Sequence, residues 1–171
     1  SKKIVLKHVD FSKGGLNEAL DNYPVFDHVC ICAGYVENNV LQFYDPQITA
    51  GIIQTNLISQ IDVIGSLVAA KKIARGASIV VIGSLLGSFI GMPGGVAYAA
   101  SKAGLEGAVK VMALELARKK IRVNTVCPGM VDTELTSDLT VISEAQFDAD
   151  KKKYPLGQRY ASKSDVVRVV N

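Results

Sequence analysis

The chain has 171 residues, 49% of them hydrophobic and 20% charged, with 19 Lys and Arg against 16 Asp and Glu for a net charge of +3. That length suits one domain with a sizeable core, and the composition excludes a disordered or low-complexity chain. The basic residues fall in short clusters such as Arg118-Lys119-Lys120 and Lys151-Lys152-Lys153, which read as solvated helix ends and argue against a nucleic-acid surface.

No apolar run approaches the ~20 residues of a membrane span, and no signal peptide stands at the start, so a soluble cytoplasmic protein is expected. Cys30, Cys32 and Cys127 all sit in apolar runs, where they resemble buried hydrophobes more than a disulfide framework. Cys30-Ile31-Cys32 lacks a second Cys or His pair, and neither His8 nor His28 supplies one, so no metal site is expected.

Short β-branched runs alternate with longer helical patterns, which predicts an α/β fold with a parallel sheet. Strands are expected at residues 4–9, 27–33, 77–83 and 121–127, and their near-continuous apolarity suggests burial on both faces. Asp45 is placed to cap a helix with Pro46 in its first turn. Apolar residues at Ile53, Leu57, Ile61, Ile64 and Val68 predict one buried stripe on that helix, which should end near Gly76. A second helix, about 96–120, carries Leu105, Val109, Met112 and Leu116 on its buried side. Its small residues Ala99, Ala100, Ala103, Gly104 and Gly107 allow close packing. Residues 134–153 are more polar and poorly periodic, as expected of a flap or helical excursion near a substrate. Ser164-Asp165 can cap a last helix.

Tyr98 and Lys102 are four apart and so share one face of a helix. An ammonium near a phenol favours the phenolate and would bring its pKa down from about 10, preparing Tyr98 to exchange a proton with a hydroxyl or carbonyl. Alone, the pair is a weak signal that chance supplies often, and a tyrosine anchoring a helix beside a solvated lysine is its plainer reading. Ser84 follows the apolar strand that ends in Ile82-Gly83, at the carboxyl end of a parallel strand, where open α/β sheets bind ligands.

Taken in order, these motifs make the chain resemble the short-chain dehydrogenase/reductase family over nearly its whole length. Asp10 resembles the family's aspartate beside the adenine ring, and Cys32-Ala33-Gly34 occupies the place of its Asn-Asn-Ala-Gly turn. Asn56, Ser84, Tyr98 and Lys102 match the catalytic tetrad, the last two within Tyr98-Ala99-Ala100-Ser101-Lys102. Pro128-Gly129-Met130-Val131-Asp132-Thr133 is similar to the segment that closes over the nicotinamide. The resemblance implies a doubly wound, Rossmann-like sheet and an NAD- or NADP-dependent oxidoreductase acting on an alcohol or carbonyl compound. Tyr98 would be the acid/base, and Ser84 would hydrogen-bond the same substrate oxygen. Lys102 would lower the Tyr98 pKa and hold the nicotinamide ribose. Asn56 would support a proton-relaying water, or else satisfy helix backbone groups. Cofactor contacts would come from Asp10, Cys32, Ala33, Gly34, Tyr98, Lys102, Pro128, Gly129, Val131 and Thr133. The family's usual assembly implies a homodimer or homotetramer formed through residues 46–73 and 96–120.

Three features depart from the family. Ile31 and Cys32 replace the two turn asparagines, so any support from those amides is lost. The interval from Ser84 to Tyr98 is one residue longer than usual, which the loop 91–95 can absorb. No glycine-rich turn stands between a first strand and helix, although that turn holds the pyrophosphate in dinucleotide folds. In the order 3-2-1-4-5-6 the strand at 4–9 would be third and that at 27–33 fourth, which are not neighbours. The natural protein is therefore expected to extend beyond both ends of this single-domain chain. The alternatives are a non-enzymatic fragment or interaction protein that keeps the tetrad, and a dehydratase or epimerase with a bound nicotinamide cofactor. NAD versus NADP preference lies in the missing second strand, and substrate identity in residues 134–153.

Overall fold

Among the described residues three strands run parallel, with helices as the crossovers between them. The computed structural model describes Leu20 and residues 23–138, 144–155 and 157–170; the strand expected at 4–9 and Asp10 lie outside these residues. β1 (Phe26–Ile31), β2 (Ile73–Ile82) and β3 (Arg122–Val126) pair in the order β1-β2-β3. Between β1 and β2 lie α1 (Pro46–Ile53), a π-helical turn (Gln54–Ile58) and α2 (Ser59–Ala69); between β2 and β3 lie α3 (Leu85–Ser88) and α4 (Val96–Leu116). Parallel neighbours joined by helical crossovers make a Rossmann-like α/β sheet, and this adjacency is the one strands four to six have in the doubly wound order.

The core forms where α2 and α4 lie on the sheet. Val63, Ile64 and Leu67 meet Ile79 and Val81 of β2, Leu105, Val109 and Leu116 of α4, and Val123 of β3. Leu105, Val109 and Leu116 are buried as expected, with Met112 packed against them. Of the small residues on α4, Gly104 takes up the close approach: a Cβ there would lie 3.0 Å from Leu57 Cδ2. Ala100, Ala103 and Gly107 are exposed.

The buried stripe on the first long helix differs from the expected one. It runs Ile52, Asn56, Gln60, Val63 and Leu67, with Ile64 shared, while Ile53, Leu57, Ile61 and Val68 are only half-buried. An apolar pattern could not find it, because two rungs of the true stripe are amides. By length and composition alone the 24-residue run Pro46–Ala69 could cross a membrane, against the expectation that no run qualifies. Here its buried face packs on the sheet.

The helix also ends earlier than Gly76, and β2 begins at Ile73 rather than 77. Pairing with β1 jumps from Phe26↔Ile73 to His28↔Ser78, and Gly76, at φ +83°, supplies the left-handed step that lets the extra residues join the strand. Among the described strands, burial on both faces holds only for the Ala77-to-Ile82 part of β2. In β1, Asp27, His28 and Cys30 are exposed, and in β3, Arg122 and Asn124. Strand alternation puts Ile31 on the buried side and Cys30 and Cys32 on the other, so these two thiols are exposed and 3.2 Å apart rather than buried, and Cys127 is half-buried.

The helix ends obey local rules. The Asp45 carboxylate accepts from Gln47 N–H at 2.7 Å with Pro46 at the first position. Residues 134–153 contain α5 (Glu134–Asp138) and α6 (Glu144–Lys151). The last helix, α7 (Lys163–Val170), is capped by Ser162 rather than Ser164: Ser162 accepts from Asp165 N–H at 3.2 Å, and Asp165 Oδ2 accepts from Ser162 N–H at 2.8 Å. That reciprocal pair is a capping box with aspartate in the glutamate position.

Candidate active site

The carboxyl end of β2 delivers Ile82, Gly83 and Ser84 to one place. Gly83 donates to Val126 C=O at 2.8 Å, and a Cβ there would fall 2.6 Å from Thr125 Cγ2, so only glycine lets the chain pass β3 this closely. Ser84 is extended and caps the next turn, its hydroxyl accepting from Leu86 N–H at 3.1 Å. Gly87, at φ +97°, then presses α3 onto the first turn of α4: a Cβ there would collide with the Ala99 carbonyl. This folding back sets the Ser84 hydroxyl beside the Tyr98 phenol, near enough to favour the phenolate.

Lys102 lies one turn along α4, only 4% exposed, and its Nζ donates to Ile82 C=O at 2.8 Å. It stands 5.8 Å from the centre of the Tyr98 ring. Burial lowers the Lys102 ammonium to about 8, opposed by the neighbouring thiols of Cys127 and Cys32. Burial raises the Tyr98 phenol above its ordinary value, and the Ser84 hydroxyl partly offsets this. The expected lowering of Tyr98 by Lys102 is therefore not what this geometry gives. The ammonium is aimed at the Ile82 carbonyl, and desolvation dominates at the phenol.

The loop after β1 meets this cluster from the other side. Asn56 is fully buried in the π-helical turn; it accepts from Tyr35 N–H at 2.9 Å and donates to Tyr35 C=O at 2.7 Å. It thus serves a distant loop rather than its own helix. A further contact at 3.4 Å reaches Ser101 Oγ, which donates to Tyr98 C=O at 2.7 Å. π-Turns inside α-helices concentrate at functional sites because the extra residue re-aims a side chain. A Cβ on Gly34 would lie 3.2 Å from Asn56 Oδ1 and 3.5 Å from Lys102 Nζ, so glycine is what lets the loop approach the amide and the ammonium this closely. Gly34, Asn56, Ser84, Tyr98 and Lys102 are thereby gathered around the ends of β1 and β2.

Pro128 and Gly129 adjoin the cluster. Leu85 N–H donates to Pro128 C=O at 3.0 Å, and a Cβ on Gly129 would touch Leu85. Val131 and Thr133 lie further along. Val131 is bridged to Ala161, and Asp132 N–H donates to Ala161 C=O at 2.8 Å. The Thr133 hydroxyl meets that of Thr136 at 3.2 Å across the first turn of α5.

Several contributors escaped the sequence reading. Gln60 donates to Ala33 C=O at 2.7 Å; a glutamine one turn after Asn56 in an apolar helix was the available signal. Ser101 showed none beyond its place between Tyr98 and Lys102. Ser88 turns away from the cluster to Glu106, which also accepts from Cys127 Sγ at 3.0 Å. Together these lower the Glu106 carboxyl, while burial and Glu106 push Cys127 up to about 11.

Residues 10–171 match the family model described as enoyl-(acyl carrier protein) reductase. The 3-oxoacyl-[acyl-carrier-protein] reductase of Chlamydia muridarum is 34% identical over 81% of this chain and 57% of its own length. A short-chain dehydrogenase family protein from Francisella tularensis superposes with a TM-score of 0.82 at 31% identity, over 94% of this chain and 67% of that one. A short-chain dehydrogenase from Burkholderia cenocepacia in complex with NADP gives a TM-score of 0.73 at 28% identity, over 84% and 56% of the two chains. For the 3-oxoacyl-[acyl-carrier protein] reductase of Brucella melitensis in complex with NAD the values are 0.74, 29%, 90% and 61%. The chain thus spans 57% of the length of the Chlamydia muridarum relative. With a parallel sheet joined by helical crossovers and a family model matched over residues 10–171, the chain belongs to the short-chain dehydrogenase/reductase family.

Proposed function

We propose that the chain carries the proton-transfer half of an NAD- or NADP-dependent reductase whose substrate is a 3-oxoacyl thioester carried on acyl carrier protein. The observation that carries this reading is the burial of Lys102, with its Nζ against Gly34 and one turn from a Tyr98 whose phenol lies beside the Ser84 hydroxyl. A buried ammonium is costly and is kept where chemistry uses it. The relatives named 3-oxoacyl-[acyl-carrier-protein] reductase support the substrate class.

A nicotinamide cofactor fits the residues present. Gly34 places no side chain between the loop and Lys102, which would hold the ribose hydroxyls, with Cys32, Ala33, Pro128, Gly129, Val131 and Thr133 as further contacts. When bound, the reduced cofactor supplies a hydride to the substrate carbonyl carbon. The raised phenol keeps Tyr98 protonated at neutral pH, the form a reduction needs, so Tyr98 gives its proton to the carbonyl oxygen as charge develops there. Ser84 hydrogen-bonds the same oxygen. Asn56 fixes the loop at Tyr35 and, through it, Gly34. A cytoplasmic location and a homodimer or homotetramer complete the proposal. The alternative is a non-enzymatic protein that keeps the tetrad. Titration with NADH and NADPH, followed by turnover of a 3-oxoacyl thioester at the reduced nicotinamide band, decides. Binding with turnover supports the reductase; neither with any carbonyl supports the alternative.

A further inference from the structure

Gln60 stands one helical turn beyond Asn56 and is 1% exposed. Its Nε2 donates to Ala33 C=O at 2.7 Å, while its Oε1, also buried, has no hydrogen-bond partner among the described residues. Turning the amide over would set Oε1 against the Ala33 carbonyl, so the orientation is fixed by its one bond. Two amides from one helix face therefore clamp one loop: Gln60 holds Ala33 and Asn56 holds Tyr35. Gly34, between the two clamped residues, is the one that faces Asn56 Oδ1 and Lys102 Nζ. Nothing in the loop does this work for itself, since Ile31, Cys32 and Ala33 carry no side-chain amide.

An orphaned acceptor is a burden on folding, and an unbranched apolar side chain of similar volume would fill the same space without it. What glutamine adds is the grip on Ala33. We propose that Gln60 is a positioning residue, setting the place of Gly34 relative to Lys102 and hence the fit of the cofactor's ribose. The inference rests on the nicotinamide reading above but touches no reacting atom itself.

The full chain is compared with Gln60→Met, which keeps the volume and loses the donor, and Gln60→Glu, whose buried carboxyl is protonated at acidic pH and then keeps a donor. Amide hydrogen exchange at Tyr35, whose N–H the loop clamp holds, is measured without cofactor, with the thermal midpoint and KM and kcat for the dinucleotide. The expected result for Gln60→Met is faster exchange, an unchanged or higher midpoint, and a dinucleotide KM raised by about tenfold with kcat within about twofold. Gln60→Glu restores slow exchange at acidic pH. A lower midpoint with unchanged exchange and KM would make Gln60 a filler and overturn the proposal. Wild-type chain that binds no dinucleotide removes the enzyme reading instead. Exchange at Tyr35 then decides the positioning claim alone, upholding it if accelerated and overturning it if not.

Discussion

Asn56 and Tyr35 form a closed hydrogen-bonded ring, with Tyr35 N–H donating to Oδ1 at 2.9 Å and Nδ2 donating to Tyr35 C=O at 2.7 Å. The amide stands in for the neighbouring strand that the loop lacks at this point. Asn56→Ala strands both backbone groups of the half-buried Tyr35 against a fully buried position, and should cost roughly 2–4 kcal/mol in denaturant unfolding. A loss under about 0.5 kcal/mol would mean that water replaces the amide freely.

Gly87 is the hinge that lays Ser84 against Tyr98. Alanine there must enter a left-handed conformation at φ +97° and meet the Ala99 carbonyl. Gly87→Ala should destabilise by about 2 kcal/mol or more, whereas Gly91→Ala, with nothing within 4 Å of its Cβ, should stay within about 0.5 kcal/mol. Paired thermal melts give both values, and equal effects would contradict the packing described.

The buried Lys102 predicts a pH-dependent stability. Its folded pKa, about 8, lies below the ordinary 10.5. Between these values the unfolded chain holds a proton that the folded chain has released, so stability rises with pH across this window and the penalty is fully present below it. Measured against Lys102→Met, the wild type should gain roughly 3 kcal/mol between about pH 7 and pH 11. A difference that does not change with pH would show Lys102 solvated in the folded state.

Local chemistry was the legible part of this fold. Asp45-Pro46 announced α1, the β-branched runs announced three strands, and the Leu105–Val109–Leu116 face of α4 was readable from its spacing. Ser84, Asn56, Tyr98 and Lys102 could be picked out in order, and the fold brings them together. The geometry of the amide clamp was not legible, because Gln60 and Asn56 interrupt with amides the buried face that Ile52, Val63 and Leu67 otherwise make apolar. Nor was the electrostatics at Tyr98. Spacing put Lys102 on the same face but could not show its ammonium spent on the Ile82 carbonyl. Cys30 and Cys32 looked buried by their neighbours, yet strand alternation turned them outward.

The central claim is that Tyr98 delivers the proton, and Tyr98→Phe tests it most directly. With NADH or NADPH and a 3-oxoacyl thioester, oxidation at the reduced nicotinamide band should fall by about a thousandfold in kcat, while dinucleotide affinity stays within about threefold. Turnover by Tyr98→Phe equal to that of the wild type would contradict the account and move the proton donor elsewhere.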